Sequence, residues 1–196
     1  MFKSRTAILV AAAAMLGTMA QRASAGAASS ATISDSQLNP TTYQYNLTLD
    51  NGSASTSVIG TFWYGWIPGQ DYMGVSPTNI TSPTGWTETV TNNGNTDGYA
   101  IQWKATSNTF DLAAGSLLTG FSYQSTDTPS VEFGNSPFYP STPTGTSFTY
   151  SGGPFVGTSD EFVVTPVSVP EPALLGIAIP SLLLLRRRRL SGRRGE

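Results

Sequence analysis

The sequence predicts an all-β protein: an antiparallel two-sheet β-sandwich of Ig-like architecture, preceded by a signal helix and followed by a short C-terminal transmembrane helix. Three observations carry that prediction. Apolar and polar residues alternate with period two in several central runs, Gly-, Asn- and Pro-rich stretches separate those runs, and no sustained helical period appears between the termini. The chain has no cysteine, so the Cys…Trp…Cys arrangement of immunoglobulin domains is missing and "Ig-like" describes architecture alone.

Residues 26–40 are small and polar and are expected to form a flexible leader or a single edge strand. The sandwich body is expected over residues 41–166. There Tyr43, Tyr45, Leu47 and Leu49 share one face and Thr42, Gln44, Asn46 and Thr48 the other, as in a half-buried strand. Asp50-Asn51-Gly52 signals a turn, and residues 56–66 (TSVIGTFWYGW) read as a hairpin partner across a longer connection. Residues 67–84, with their prolines, glycines and Asn79, read as an irregular loop crossing the top of a sheet.

Trp86, Glu88 and Val90 then alternate with Thr87, Thr89 and Thr91. The polar turn NNGNTDG follows over residues 92–98, and Tyr99, Ile101 and Trp103 resume period two, which makes this the clearest hairpin in the chain. Within residues 111–125 a glycine turn precedes Leu117, Thr119, Phe121 and Tyr123, again in alternation. Phe148 with Tyr150, and Phe162 with Val164, supply two further short strands. About seven short strands rich in Thr, Tyr, Phe and Trp fit two packed sheets.

Composition excludes several classes of function. The formal charge of −2 hides an acidic body: ten carboxylates (Asp35, Asp50, Asp71, Glu88, Asp97, Asp111, Asp127, Glu132, Asp160, Glu161) face one base, Lys104, leaving −9. Such a surface repels nucleic acid and anionic lipid heads. Histidine is absent as well as cysteine, so thiolate or imidazole metal sites, Cys–His pairs and Ser-His-Asp triads are excluded, and no disulfide staples the fold. No cofactor and no metal is expected, and no catalytic residue is assigned.

The two ends carry transport information. Residues 1–25 combine Lys3 and Arg5, an apolar run, and Ala23-Ser24-Ala25 at the positions a signal peptidase needs, so cleavage is expected after Ala25. The compact apolar run separates this segment from an organellar transit peptide. At the other end, Val169-Pro170-Glu171-Pro172 precedes a 13-residue apolar run, from Ala173 to Leu185, and then Arg186, Arg187, Arg188 and Arg189. A helix of that length covers about 20 Å of a hydrocarbon core near 30 Å, so it anchors weakly. The arginines place the C-terminus in the cytoplasm and the body on the far side. Pro170 and Pro172 hold the preceding peptide extended and accessible.

Residues 167–196, in that order of parts, resemble the PEP-CTERM sorting signal of bacterial exported proteins, also catalogued as an ice-binding-protein C-terminal domain. The resemblance covers only about the last 28 residues. It implies that a membrane-embedded exosortase-like enzyme recognises Pro-Glu-Pro and releases the body from a transient membrane anchor to the cell surface or extracellular matrix. On this reading the protein is not an enzyme but a structural or adhesive surface protein, with the secretion machinery, the exosortase, the membrane and an extracellular polysaccharide as its partners.

Alternatives remain open within the body. Asp71, Asp97, Asp127 and Glu132 sit where a loop carboxylate pair could serve a glycoside-active enzyme, although solvated turn carboxylates explain them as well. Asp97 within NNGNTDG offers oxygen ligands to calcium, and Thr87, Thr89 and Thr91 form a row of the kind an ice-binding plane would repeat. Trp63, Tyr64, Trp66 and Tyr72 are candidates for stacking on sugar rings, though strand alternation turns some of them into the core.

Overall fold

The computed structural model describes residues 29–92 and 97–167. The expected signal peptide with Ala23 and Ala25, and the C-terminal residues Val169, Pro170, Glu171, Pro172, Arg186, Arg187, Arg188 and Arg189, lie outside the described residues. No helix among the described residues is long and apolar enough to cross a membrane.

The described residues are mostly β and form two five-stranded sheets with a small ribbon. The strands are β1 (Ser29–Asn39), β2 (Thr42–Asn51), β3 (Thr61–Tyr64), β4 (Trp66–Ile67), β5 (Gln70–Asp71), β6 (Thr78–Thr81), β7 (Trp86–Thr91) and β8 (Ala100–Ala105). After a 3₁₀ turn at Asn108–Phe110 come β9 (Ser116–Ser125), the short helix α1 (Pro129–Glu132), β10 (Thr146–Tyr150), β11 (Ser159–Val163) and β12 (Thr165–Pro166). The first sheet has the order β12-β1-β2-β9-β6 and the second β11-β10-β3-β8-β7, while β4 and β5 pair alone. Pairing is antiparallel except where the two-residue β12 runs parallel to β1.

Alternation fixes which residues enter the core. Along β2, Tyr45, Leu47 and Leu49 are buried as the period-two reading requires, and Tyr43 packs partly against them. The expected β7–β8 hairpin also forms, with Thr91 opposite Ala100 and Trp86 opposite Ala105.

Of the two readings of residues 26–40, the strand is the one that forms: β1 runs from Ser29 to Asn39 and pairs along its length with β2. Other expectations change. The 42–49 strand does not pair with residues 56–66: β2 lies between β1 and β9, and β3 belongs to the opposite sheet. The tight Pro40–Thr41 turn closes β1 onto β2, leaving the longer 52–60 segment to cross between sheets. The β9 alternation also breaks at Gly120. That glycine adopts φ +100° in a bulge where Leu47 faces Phe121 while Thr48 faces Thr119. The bulge shifts the inward set, so Phe121 and Tyr123 are buried while Leu117 is 67% exposed and Leu118 packs on the core instead.

The core is an aromatic lattice. On the second sheet Phe62 stacks between Trp103, at 5.6 Å, and Phe162, at 6.2 Å. Phe121 from the first sheet meets Phe62, Trp103 and Trp86 edge-on at 5.6, 5.2 and 5.4 Å. These are the geometries in which ring edges meet π faces favourably. The indole N–H groups of Trp86 and Trp103 donate to Phe110 O and Thr81 O, so their burial leaves no orphan donor. With no disulfide present, burial of these rings, worth about 1.5–3 kcal/mol each, supplies much of the cohesion between the sheets.

Candidate functional site

Chemically distinctive groups concentrate at the two ends of the sandwich and on the outer face of the second sheet. At one end, α1 begins at Pro129 after Thr128 and carries Glu132 inward, where it is 1% exposed. Its Oε1 accepts hydrogen bonds from Tyr64 Oη on β3, at 2.9 Å, and Tyr123 Oη on β9, at 2.5 Å. Glu132 Oε2 has no hydrogen-bond partner among the described residues. Tyr45 stacks on Tyr123 with centroids 5.0 Å apart and donates to Asp127 O. One carboxyl therefore ties both sheets to a short helix.

Desolvation dominates the electrostatics there. Burial pushes the Glu132 carboxyl up to about 7, against the opposing pull of the two phenol hydrogen bonds and with a smaller upward push from Asp127. Burial raises the Tyr64 and Tyr123 phenols well above their ordinary range, and the neighbouring Glu132 charge adds to the rise. Both phenols stay protonated as donors. Burial also raises the Asp127 carboxyl, partly offset by a hydrogen bond from the Val75 backbone.

This overturns the reading of Glu132 as a solvated loop carboxylate. Its burial rests on partners 68 and 9 residues away in sequence, which local pattern does not reveal. Asp71 is likewise fully buried on β5, where its Oδ1 accepts from Thr91 Oγ1 at 3.3 Å and its backbone N–H points to Asp97 Oδ2. The structure thus brings Asp71 and Asp97 together. Among the described residues no group of three or more acidic side chains is placed to hold a metal ion.

On the outer face of the second sheet, Trp63 and Trp66 stack at 4.1 Å and are both buried. The hairpin loop between β10 and β11 folds over them and sets the Phe155 ring 6.0 Å from Trp63, 5.6 Å from Trp66 and 5.7 Å from Tyr150. Phe155 is 64% exposed and sits at φ +65°, a left-handed conformation that bulky residues rarely adopt. Trp63 Nε1 is buried without a hydrogen-bond partner among the described residues. Of the four aromatics proposed for sugar stacking, Tyr64 faces the core, while Tyr72 donates to Gln70 Oε1 and packs edge-on to Tyr139. Only Trp63 and Trp66 form a pair.

The row Thr87, Thr89 and Thr91 lies on the outermost strand of the second sheet. Its neighbours across β8 are Lys104, Gln102 and Ala100, so the threonine rank is not repeated there.

The opposite end of the sandwich holds a cleft of about 230 Å³ between the 52–60 connection and the base of the β10–β11 loop. Serine and threonine hydroxyls, Asp160, Tyr150 and Asn51 line it. Asn51 was legible only as a turn residue, yet it is fully buried and binds two carbonyls through Nδ2.

No protein-family model matches the chain, and no curated protein matches it. Among solved structures it is similar to an inactive D437A variant of a GH20 exo-β-N-acetylglucosaminidase from Vibrio harveyi, at 10% identity and a TM-score of 0.38. The likeness covers 71% of this chain, which spans 18% of the length of that protein, and is too distant to speak to activity.

Proposed function

We propose that this is an exported bacterial cell-surface or extracellular-matrix protein, non-enzymatic, whose acidic β-sandwich plays a structural or adhesive part. Its precursor would be led out by residues 1–25, held with its C-terminus in the cytoplasm, and released by an exosortase-like enzyme at Pro170-Glu171-Pro172. One observation supports this reading above others. Among the described residues, β12 pairs with β1 and Val167 N donates to Ile33 O, so both ends of the described body are fastened to the same edge of the first sheet. Such a closed body suits release by cuts that fall outside its strands.

The burial of Glu132 and Asp71 supports the non-enzymatic reading, because a glycosidase needs carboxyls that face a substrate. Intact mass spectrometry of the protein from its native host tests the proposal. A mature form starting near Gly26 and lacking Arg186, Arg187, Arg188 and Arg189 is expected; one that retains those arginines refutes the sorting step.

A further inference from the structure

The cleft at the Asn51 end has the chemistry of a ligand site. Asn51 is fully buried on β2, and its Nδ2 donates to Ser57 O and Leu112 O, both at 2.9 Å. With both donors used on carbonyls, the amide orientation is fixed and Oδ1 is the atom left without a partner. A buried acceptor without a donor costs about 1–3 kcal/mol. Asn51 is among the residues lining the cleft, so that cost is recovered when an occupant brings a hydroxyl to it.

The other walls narrow the chemistry of that occupant. Asp160 spends Oδ2 on Ser29 N at 2.7 Å, and as a carboxylate it accepts further hydrogen bonds. Thr158 Oγ1 donates to Ser57 Oγ at 2.9 Å, which straps the β10–β11 loop to the 52–60 connection and holds the two walls together. Ala54 and Ile59 add apolar atoms to the lining, and Tyr150 borders the cleft with its ring packed on Phe155. No lysine or arginine among the described residues lines the cleft, so it does not suit phosphate or a uronate. A single carboxylate is also too few to hold a divalent cation. What remains is a neutral ligand with several hydroxyls and an apolar C–H face.

We propose that this cleft binds one neutral pyranose unit of an extracellular polysaccharide, whose hydroxyls donate to Asn51 Oδ1 and Asp160. The inference names a partner for the adhesive role proposed above and rests on that reading. The two are tested separately, since binding is read on purified protein and processing on protein taken from its host.

The test is binding of the purified full chain to an array of neutral and uronic oligosaccharides, followed by calorimetry with the best neutral glycan. Ala54 is an exposed cleft residue whose side chain makes no hydrogen bond, so Ala54→Trp blocks the space. It should abolish binding. Asp160→Asn keeps an acceptor for Ser29 N and should weaken binding about ten- to a hundredfold, the worth of a hydrogen bond to a charged group. Melting temperatures of both variants are compared with the parent. Silence on every neutral glycan, binding that survives both substitutions, or binding that EDTA removes would each overturn the proposal.

Discussion

Glu132 makes the stability of this protein depend on pH in the direction opposite to that of most carboxylates. Its carboxyl titrates at about 7 in the fold, against an ordinary 4.5 in the unfolded chain. Between those values the folded state holds a proton that the unfolded state has released. Stability is therefore fully present below about pH 4.5 and is lost as pH rises through 7. At about 1.36 kcal/mol per pH unit the loss amounts to about 3 kcal/mol, and near-complete burial leaves little solvent screening to reduce it. Glu132→Gln removes the titration while its Oε1 still accepts from Tyr64 and Tyr123. The new amide donors enter the space around the unpartnered Oε2, at a cost of about 1–3 kcal/mol that does not vary with pH. Urea unfolding followed by tryptophan fluorescence at pH 4 and pH 8 gives the comparison. The parent should lose about 3 kcal/mol more than the variant between these conditions, or about 12 °C in Tm at roughly 4 °C per kcal/mol. Asp111, also raised by burial, contributes alike in both proteins and cancels, whereas Asp127, whose charge is coupled to Glu132, cancels only in part. Equal pH dependence in the two, within about 1 kcal/mol, would refute the assignment.

Two other substitutions probe the aromatic packing. Phe121→Ala removes the ring that meets Phe62, Trp103 and Trp86, and should cost about 3–5 kcal/mol in urea unfolding; a loss below about 1 kcal/mol would mean the sheets are held elsewhere. Phe155→Gly relieves the φ +65° conformation and removes an exposed ring, so stability should stay within about 1 kcal/mol, while acrylamide quenching of tryptophan fluorescence increases as Trp63 and Trp66 are uncovered. Unchanged quenching would contradict the capping role of the loop.

What could be read from the sequence follows from how local each signal is. Alternation identified the inward face of β2 and the two strands of the β7–β8 hairpin, because side-chain direction has period two within one strand. Partner choice is not local. Nothing in Tyr43 to Leu49 distinguishes a neighbour at 29–39 from one at 56–66, so the β2 pairing was misread. Gly120 was visible as a glycine but not as a bulge, and one inserted residue sufficed to turn Leu117 outward. Glu132 and Asn51 were the least legible of all. A carboxylate after Pro-Ser-Val and an amide in Asp-Asn-Gly both carry surface signatures, and only contacts from distant strands bury them.

On the proposed reading, those two buried polar residues give the ends of the sandwich different purposes. Tyr45, which packs against the Glu132 network, and Asn51, in the floor of the cleft, lie six residues apart on β2, or about 20 Å along an extended strand. At that separation two unrelated groups contribute to stability and binding nearly independently. A rise in pH that ionises Glu132 therefore loosens the tie between α1, β3 and β9 without altering the hydroxyl-lined walls around Asn51. The cleft's own rigidity comes from the Thr158–Ser57 strap and from the Asn51 bonds to Ser57 and Leu112, none of which includes a group that titrates near neutrality. The proposed binding cleft would thus persist across the pH range in which overall stability falls, so long as the aromatic core between the two ends stays packed.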